Sequence, residues 1–372
     1  MSLEIVNSRF CAALRDPNSW KLDSRLDITL EYDTDLDKTK SLLTRLPFTE
    51  LRISVGKSGA YHLFDLFPCL DKQRHKIQRL QSLSISLEKL CDHPGCYCFP
   101  TIKEAIAKLC MEKLLHVCVQ SLRSVAIHFN GFVAAEFEFD LDIVRALTRC
   151  DKLERIHLFP FDRNHPDPAA FCKLRFSHAL KFKPLKELVF EGTFYAYSLI
   201  SICNSLPDHT LEVAKLGTDG TTMPHNTSDD VVQKFFISDW ILGTKPEKLT
   251  ALTTIEVVQT YFFVPDKLDV ALAQLPNLTS VRFNFARMQQ HIVGDFNLMM
   301  WVFMMNLVKS FSNRTPSLVA RISVLNTEFN FRRMAGILKK EEKWKDVAYR
   351  QIGSDDLFEI SYGLAVIHLY LL

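Results

Sequence analysis

Glycine is scarce in this chain, 12 residues in 372, and none of them builds a glycine-rich turn from a strand into a helix. The phosphate-cradling loops of nucleotide-binding α/β proteins need such turns, because only glycine lets the backbone close on a pyrophosphate. An excess of charge of one sign is also absent. With 45 basic and 43 acidic side chains the formal net charge is +2, and the signs interleave. Nucleic-acid binders concentrate positive charge on one face, so no nucleic-acid partner is expected.

Long hydrophobic runs are missing too. The most apolar stretch, FNLMMWVFMMNLV from Phe296 to Val308, covers 13 residues, short of the roughly 20 that span a bilayer. It reads as a buried helix, and no membrane is expected. Acidic Glu4 and polar Asn7 and Ser8 break the first turn where a secretory signal would be basic and then apolar. The 10 cysteines are scattered, as expected for reduced thiols in the cytosol or nucleus. Two glycosylation acceptors, Asn226-Thr227-Ser228 and Asn277-Leu278-Thr279, carry no meaning in that setting.

Catalytic signatures are lacking as well. No serine sits in a nucleophile elbow and no His-Glu-x-x-His run exists, so neither an enzyme nor a cofactor is expected. Cys91, His93, Cys96 and Cys98 fall within eight positions, too tightly for the paired two-ligand hooks of structural zinc sites, and read as a connecting loop. Asp33, Asp35 and Asp37 alternate like the start of a calcium loop. Lys38, however, stands where that loop needs glycine, and Thr44 where it needs the bidentate glutamate. A solvated linker ahead of a helix is expected there, and no metal.

What the chain does have is a repeat. The pattern apolar-x-x-apolar-x-apolar occurs nine times: FTELRI from Phe48, LQSLSI from Leu80, LRSVAI from Leu122, LERIHL from Leu153, LKELVF from Leu185, LTTIEV from Leu252, LTSVRF from Leu278, VARISV from Val319 and LAVIHL from Leu364. The spacings are 32, 42, 31, 32, 67, 26, 41 and 45 residues, and a weaker copy at LEVAKL from Leu211 splits the longest. In each hexad the last two apolar positions alternate as in a strand with one buried face. Helical patterns lie between. Ile102, Ile106, Leu109, Cys110 and Leu114 form one stripe, and Ser228 caps another helix with Asp229 and Asp230 in its first turn and Val231, Val232, Phe235 and Phe236 inward. Strand and helix in alternation imply a parallel sheet, and the short repeat favours a stacked solenoid. Residues 364–372 read as its last strand.

The hexad resembles the strand segment of the leucine-rich repeat, LxxLxL, and LPNLTSVRF from Leu275 is close to that family's wording. The resemblance covers roughly residues 48–372, and implies an α/β solenoid with a parallel sheet on one face and helices on the other.

Ahead of it, residues 3–20 read LEIVNSRFCAALRDPNSW. Ile5, Val6, Phe10 and Leu14 share a helical face, Asp16-Pro17 ends the helix and Trp20 folds back. The order Val6, Asn7, Arg9, Phe10, Leu14, Asp16, Pro17, Trp20, followed by the strand-like run Leu26 to Leu30, is similar to the C-terminal half of an F-box, the motif that docks substrate receptors on the linker protein of cullin-RING ubiquitin ligases. The two resemblances divide the chain into a partial F-box-like helix and turn (1–25) and an irregular leucine-rich-repeat-like solenoid (26–372). They imply a non-catalytic substrate-recognition adaptor that binds the linker through Val6, Phe10, Leu14, Pro17 and Trp20. The alternative is a free-standing repeat scaffold or inhibitor.

If the leucines point inward, the side chains between them face out along one sheet surface. That register selects Arg155, His157, Phe159, Glu187, Glu191, Glu256, Arg282, Asn284 and Arg321 as candidates for contact with a protein substrate. Basic Arg155 and His157 precede acidic Glu187, Glu191 and Glu256, and Arg282 and Arg321 follow. Alternating sign along one face sets a partner's register. Phe159 is either an aromatic anchor or packs beneath the turn from Pro160 to Pro168. That turn and residues 217–228 break the repeat and form loops.

Overall fold

The structure is a computed structural model that describes residues 25–31, 33–56, 62–87, 108–129, 145–158, 177–191, 196–217, 237–258, 267–285, 296–313, 315–324, 346–352 and 357–371. Val6, Phe10, Leu14, Pro17, Trp20 and Phe159 lie outside them, as do Cys91, His93, Cys96, Cys98 and the loops at 160–168 and 218–228. The chain divides into two compact units, Met1–Phe132 with Phe137–Leu153, and Val133–Glu136 with Glu154–Leu372. Each is mixed α/β around a mostly parallel sheet.

In the first unit, β1 (Arg25–Leu30), β2 (Glu50–Val55), β3 (Ser82–Leu87) and β4 (Ser124–Phe129) lie side by side in chain order, all parallel. In the second, β5 (Arg155–Leu158), β6 (Glu187–Glu191), β7 (Val213–Gly217), β8 (Thr254–Val258), β9 (Ser280–Phe285) and β10 (Val319–Val324) follow the same rule. The hexads stack rung on rung. Leu51, Leu83 and Val125 align, as do Leu188, Ala214, Ile255 and Val281, and all seven are buried. The leading residues Phe48, Leu80, Leu122, Leu153, Leu185, Leu211, Leu252 and Leu278 are buried too. LEVAKL is thus a complete copy, its strand being β7.

The copies also share a hydrogen-bond signature. The carbonyl just after the leading residue accepts from two successive amides of the next copy. Thr49 O takes Gln81 N and Ser82 N, Gln81 O takes Arg123 N and Ser124 N, and the same pair of bonds recurs at Glu154, Lys186, Glu212 and Thr253. One carbonyl serving two amides fixes where each strand begins against its neighbour, and so sets its register.

Two hexads depart from expectation. In VARISV the residue paired with the inward Val281 is Ala320, and Val319 pairs with the outward Ser280. The copy is shifted by two residues, and Ala320, Ile322 and Val324 fill the core instead. In LAVIHL the strand β13 (Ala365–Leu371) is parallel to β10, but Leu364 lies in a turn, 51% exposed. Two further strands, β11 (Ala348–Gln351) and β12 (Leu357–Tyr362), run antiparallel in the order β10-β13-β12-β11. The all-parallel expectation therefore fails at this end. The two residues between β12 and β13 make a hairpin, and no crossover helix is needed.

Helices fill the long connections. Helix α1 (Leu36–Arg45) starts at Asp35, whose carboxylate accepts from Lys38 N at 2.9 Å. The aspartate alternation is a helix start, with Asp37 in the first turn. Helices α2 (His62–Lys72) and α3 (Arg74–Ile77) follow. The stripe Leu109, Cys110, Leu114 is buried as expected, but it lies on a π-helical segment, Leu109–Leu115, that runs on into α4 (His116–Cys118). The second unit carries α5 (Ala196–Ser205), α6 (Ile237–Gly243), α7 (Pro246–Leu249), α8 (Leu268–Ala273) and α9 (Phe296–Phe311). Helix α9 holds the most apolar stretch. Met300, Trp301, Met304, Met305, Val308 and Phe311 are all buried, and the helix packs on α8, β12 and β13. Among the described residues no helix is long and apolar enough to cross a membrane.

Side chains at equivalent positions tie four of the copies to the ones before them. Lys76, four residues before Leu80, donates to the carbonyls of Leu43 (3.0 Å), Thr44 (2.7 Å) and Leu46 (3.1 Å) at the end of α1. Lys248, four before Leu252, donates to Leu206 O at 2.7 Å beyond the end of α5 and to Asp208 Oδ1 at 2.6 Å. Ser121 and Asn277, each one residue before its leading leucine, reach the carbonyls of Gln78 (2.8 Å) and Thr250 (2.7 Å). Both carbonyls stand two residues before the preceding leucine. A helix leaves its last carbonyls without partners, and an ammonium near that terminus also suits the helix dipole. Burial pulls the Lys76 ammonium below the ordinary lysine range. Lys76→Met is therefore expected to cost about 2 kcal/mol, as for hydrogen bonds to a charged group. The exposed Lys72→Met should leave the urea midpoint unchanged. Equal midpoints for the two variants would show that the cap contributes nothing.

The outward sheet face as candidate functional site

The strand alternation that buries the leucines sends the residues between them to the opposite side. In the first unit this outer face is short and hydroxyl-rich. Glu50, Ser82 and Ser124 form one rung, Arg52, Ser84 and Ala126 the next, and Ser54, Ser86 and His128 the third. At the edge, Arg25 pairs with Asp27 at 2.8 Å.

The second unit is different, because its outer rungs are charged. One runs His157, Val189, Lys215, Glu256, Arg282, Arg321, then His368, Glu359 and Arg350 on the last three strands. The rung before it opens with Arg155 and Glu187, and the rung after it holds Glu191, Gly217, Val258, Asn284, Ser323 and Tyr370. Neighbouring strands stand about 4.8 Å apart, so opposite charges on adjacent strands meet.

They meet in three groups. Glu187 Oε1 lies 2.8 Å from Lys215 Nζ, and its Oε2 lies 3.9 Å from Arg155 Nε. Glu256 Oε1 lies 3.6 Å from Arg282 Nη1. Glu359 takes Arg350 Nε at 2.8 Å and His368 Nε2 at 3.4 Å. The hydrogen bond from Arg350 holds the Glu359 carboxyl below the usual range, with the charge of Arg350 and the contact from His368 adding to it. Exposed pairs of this kind contribute about 0–1 kcal/mol each. Their larger effect is on recognition, since a charge already paired within the sheet has less to offer a visitor.

Compared with models of known families, with curated proteins and with solved structures, the chain matches none.

The structure thus brings Arg155, Glu187, Glu256, Arg282, Asn284 and Arg321 onto one face. His157 is there as well, half-buried and engaged by its surroundings. Glu191 is placed by its backbone opposite Gly217, and its side chain lies outside the described residues. The register argument missed Lys215, Arg350, Glu359, His368 and Tyr370. Lys215 and His368 were readable, as the residues between the inward positions of LEVAKL and LAVIHL. Arg350 and Glu359 sit on the two antiparallel strands, which no hexad marks.

Two members of the face stand apart. Arg321 lies between Arg282 and His368 in register, and among the described residues it has no carboxylate partner. Asn284 Oδ1, one rung on, is buried without a hydrogen bond. Among the described residues no group of three or more His, Cys, Asp or Glu side chains is placed to hold a metal ion.

Proposed function

We propose that this chain is a non-catalytic protein-recognition module, a leucine-rich-repeat-like solenoid that reads a protein substrate on its outward strand face. It serves as a substrate receptor of the F-box kind for a cullin-RING ubiquitin ligase in the cytosol or nucleus. One observation carries the recognition part: in each unit the inward rungs are apolar and buried while the outward rungs are mostly polar or charged and in register from strand to strand. Such a face presents side chains at fixed spacing to a partner, and complementary charge then selects the partner and its orientation. The receptor part rests on the likeness of residues 3–20 to the closing helix of an F-box. Its mechanism is proximity, holding a substrate near a ubiquitin-transfer machine without covalent chemistry of its own.

The docking is tested with purified linker protein and the full chain. Binding is expected, and Phe10→Glu or Trp20→Ala should weaken it by roughly tenfold or more, as loss of a buried aromatic anchor does. No binding by the unaltered chain would remove the ligase and leave a free-standing repeat scaffold or inhibitor.

A further inference from the structure

We infer that the outward face of β9, β10 and β13 receives an acidic segment of the protein partner, with a carboxylate against Arg321. This rests on the protein-recognition reading and names the chemistry of what that face selects.

Elsewhere on this face of the second unit the cations are paired within the sheet. Arg155, Lys215, Arg282 and Arg350 each have a carboxylate within 4 Å on a neighbouring strand. Arg321 has none. Its neighbours in register are Arg282 on one side and His368 on the other, so neither strand beside it offers an opposite charge, and like charges directly across a sheet are unfavourable. An incoming carboxylate supplies what the sheet withholds, and a guanidinium is suited to bind it bidentately.

On the protein-recognition reading the carboxylate is that of a glutamate or aspartate side chain, which reaches the half-buried Arg321 from the open side of the sheet. Half-buried Val319, Val366 and Tyr370 flank Arg321 on β10 and β13 and offer apolar surface for the methylenes of an acidic side chain.

The test uses fluorescence anisotropy on the full chain with three short labelled peptides that are identical except for glutamates, glutamines or lysines at the same positions. The glutamate peptide should bind roughly tenfold tighter than the glutamine one, with a preference that weakens as salt rises. Arg321→Glu should invert the order and favour the lysine peptide, while melting no lower than the unaltered chain, because it places an acid between two basic neighbours. Arg52→Gln, on the outer face of the first unit, should change neither affinity. Equal binding of the glutamate and glutamine peptides, or a glutamate preference that survives Arg321→Glu, overturns the site. Binding of none of the three overturns it as well, and leaves the receptor reading to the linker-protein assay, which uses no peptide and depends on Phe10 and Trp20.

Discussion

Trp240→Ala is expected to lower the melting temperature of the second unit by on the order of 10 °C. The indole belongs to the largest fully buried side chains of the protein, on the short helix α6, which packs against α5 and α8. Truncation removes the transfer free energy of a whole indole and leaves a cavity that a helix held on both sides closes only in part. Such changes cost about 3–5 kcal/mol. The rotamer entropy of tryptophan, which an alanine no longer loses on folding, is too small to offset that.

Trp240→Phe separates packing from hydrogen bonding. Indole Nε1 is buried with no partner of normal geometry. Burial pushes the Cys203 thiol up to about 12, against a smaller opposite pull from the Trp240 indole. Phenylalanine keeps most of the volume and removes a buried N–H that was costing free energy. It should cost about 1–2 kcal/mol, well below alanine. A calorimetric or circular-dichroism melt checks both variants. Equal losses would mean that the N–H has a partner and that the packing argument is wrong.

The strands were legible in the sequence only in part, and the reason is physical. A strand buried on one face writes its period into every second residue, so β2 to β9 announced themselves through Leu51 and Ile53, Leu83 and Ile85, or Val281 and Phe283. The outward positions were legible by the same token, because the register that buries Leu188 exposes Glu187 and Val189. VARISV misled for the opposite reason. Val319 is apolar and faces out, Ala320 is small and faces in, and a pattern built on side-chain size assigns the pair backwards. Strand β11 has no inward apolar rhythm, since Ala348, Arg350 and Gln351 are exposed, so nothing marked it. Strand β12 does alternate, with Phe358 and Ile360 inward and Glu359 and Ser361 outward, but it lacks the leading residue of a hexad. The pairing of charges was hidden as well. A list of outward residues does not say that Glu187 binds Lys215, and only the cross-strand neighbours reveal that Arg321 lacks a carboxylate among the described residues.

The antiparallel end hangs on a single residue, and Gly363→Ala is expected to destabilise it by about 2–4 kcal/mol. Gly363 and Leu364 are the two residues between Tyr362 and Ala365, which pair across the hairpin. Gly363 has φ +58° and Leu364 is not at positive φ, which matches a type II′ turn with glycine first. The left-handed conformation alone costs an alanine about 1–2 kcal/mol. A Cβ would also collide with the carbonyl oxygen of Ser312, which sits just beyond α9 and accepts Leu364 N at 2.7 Å. That oxygen is backbone, held by the hydrogen bond it makes to the turn itself, so it moves only if the hairpin lifts from the helix. Gly243→Ala and Gly56→Ala provide the contrast. Their added methyls meet the far ends of Ile200 and Glu31, flexible side chains that swing aside, and each should cost less than about 1 kcal/mol. Urea midpoints for the three variants decide the matter. Strand β13 carries His368 and Tyr370 beside Arg321, so a hairpin that lifts also takes away one wall of the acidic-peptide site. Gly363→Ala should therefore weaken glutamate-peptide binding at temperatures where the unit is still folded, while Gly243→Ala leaves it intact. Equal midpoints for Gly363→Ala and Gly243→Ala would show that the turn is not pressed against Ser312, and the hairpin would then have to be held by something other than its glycine.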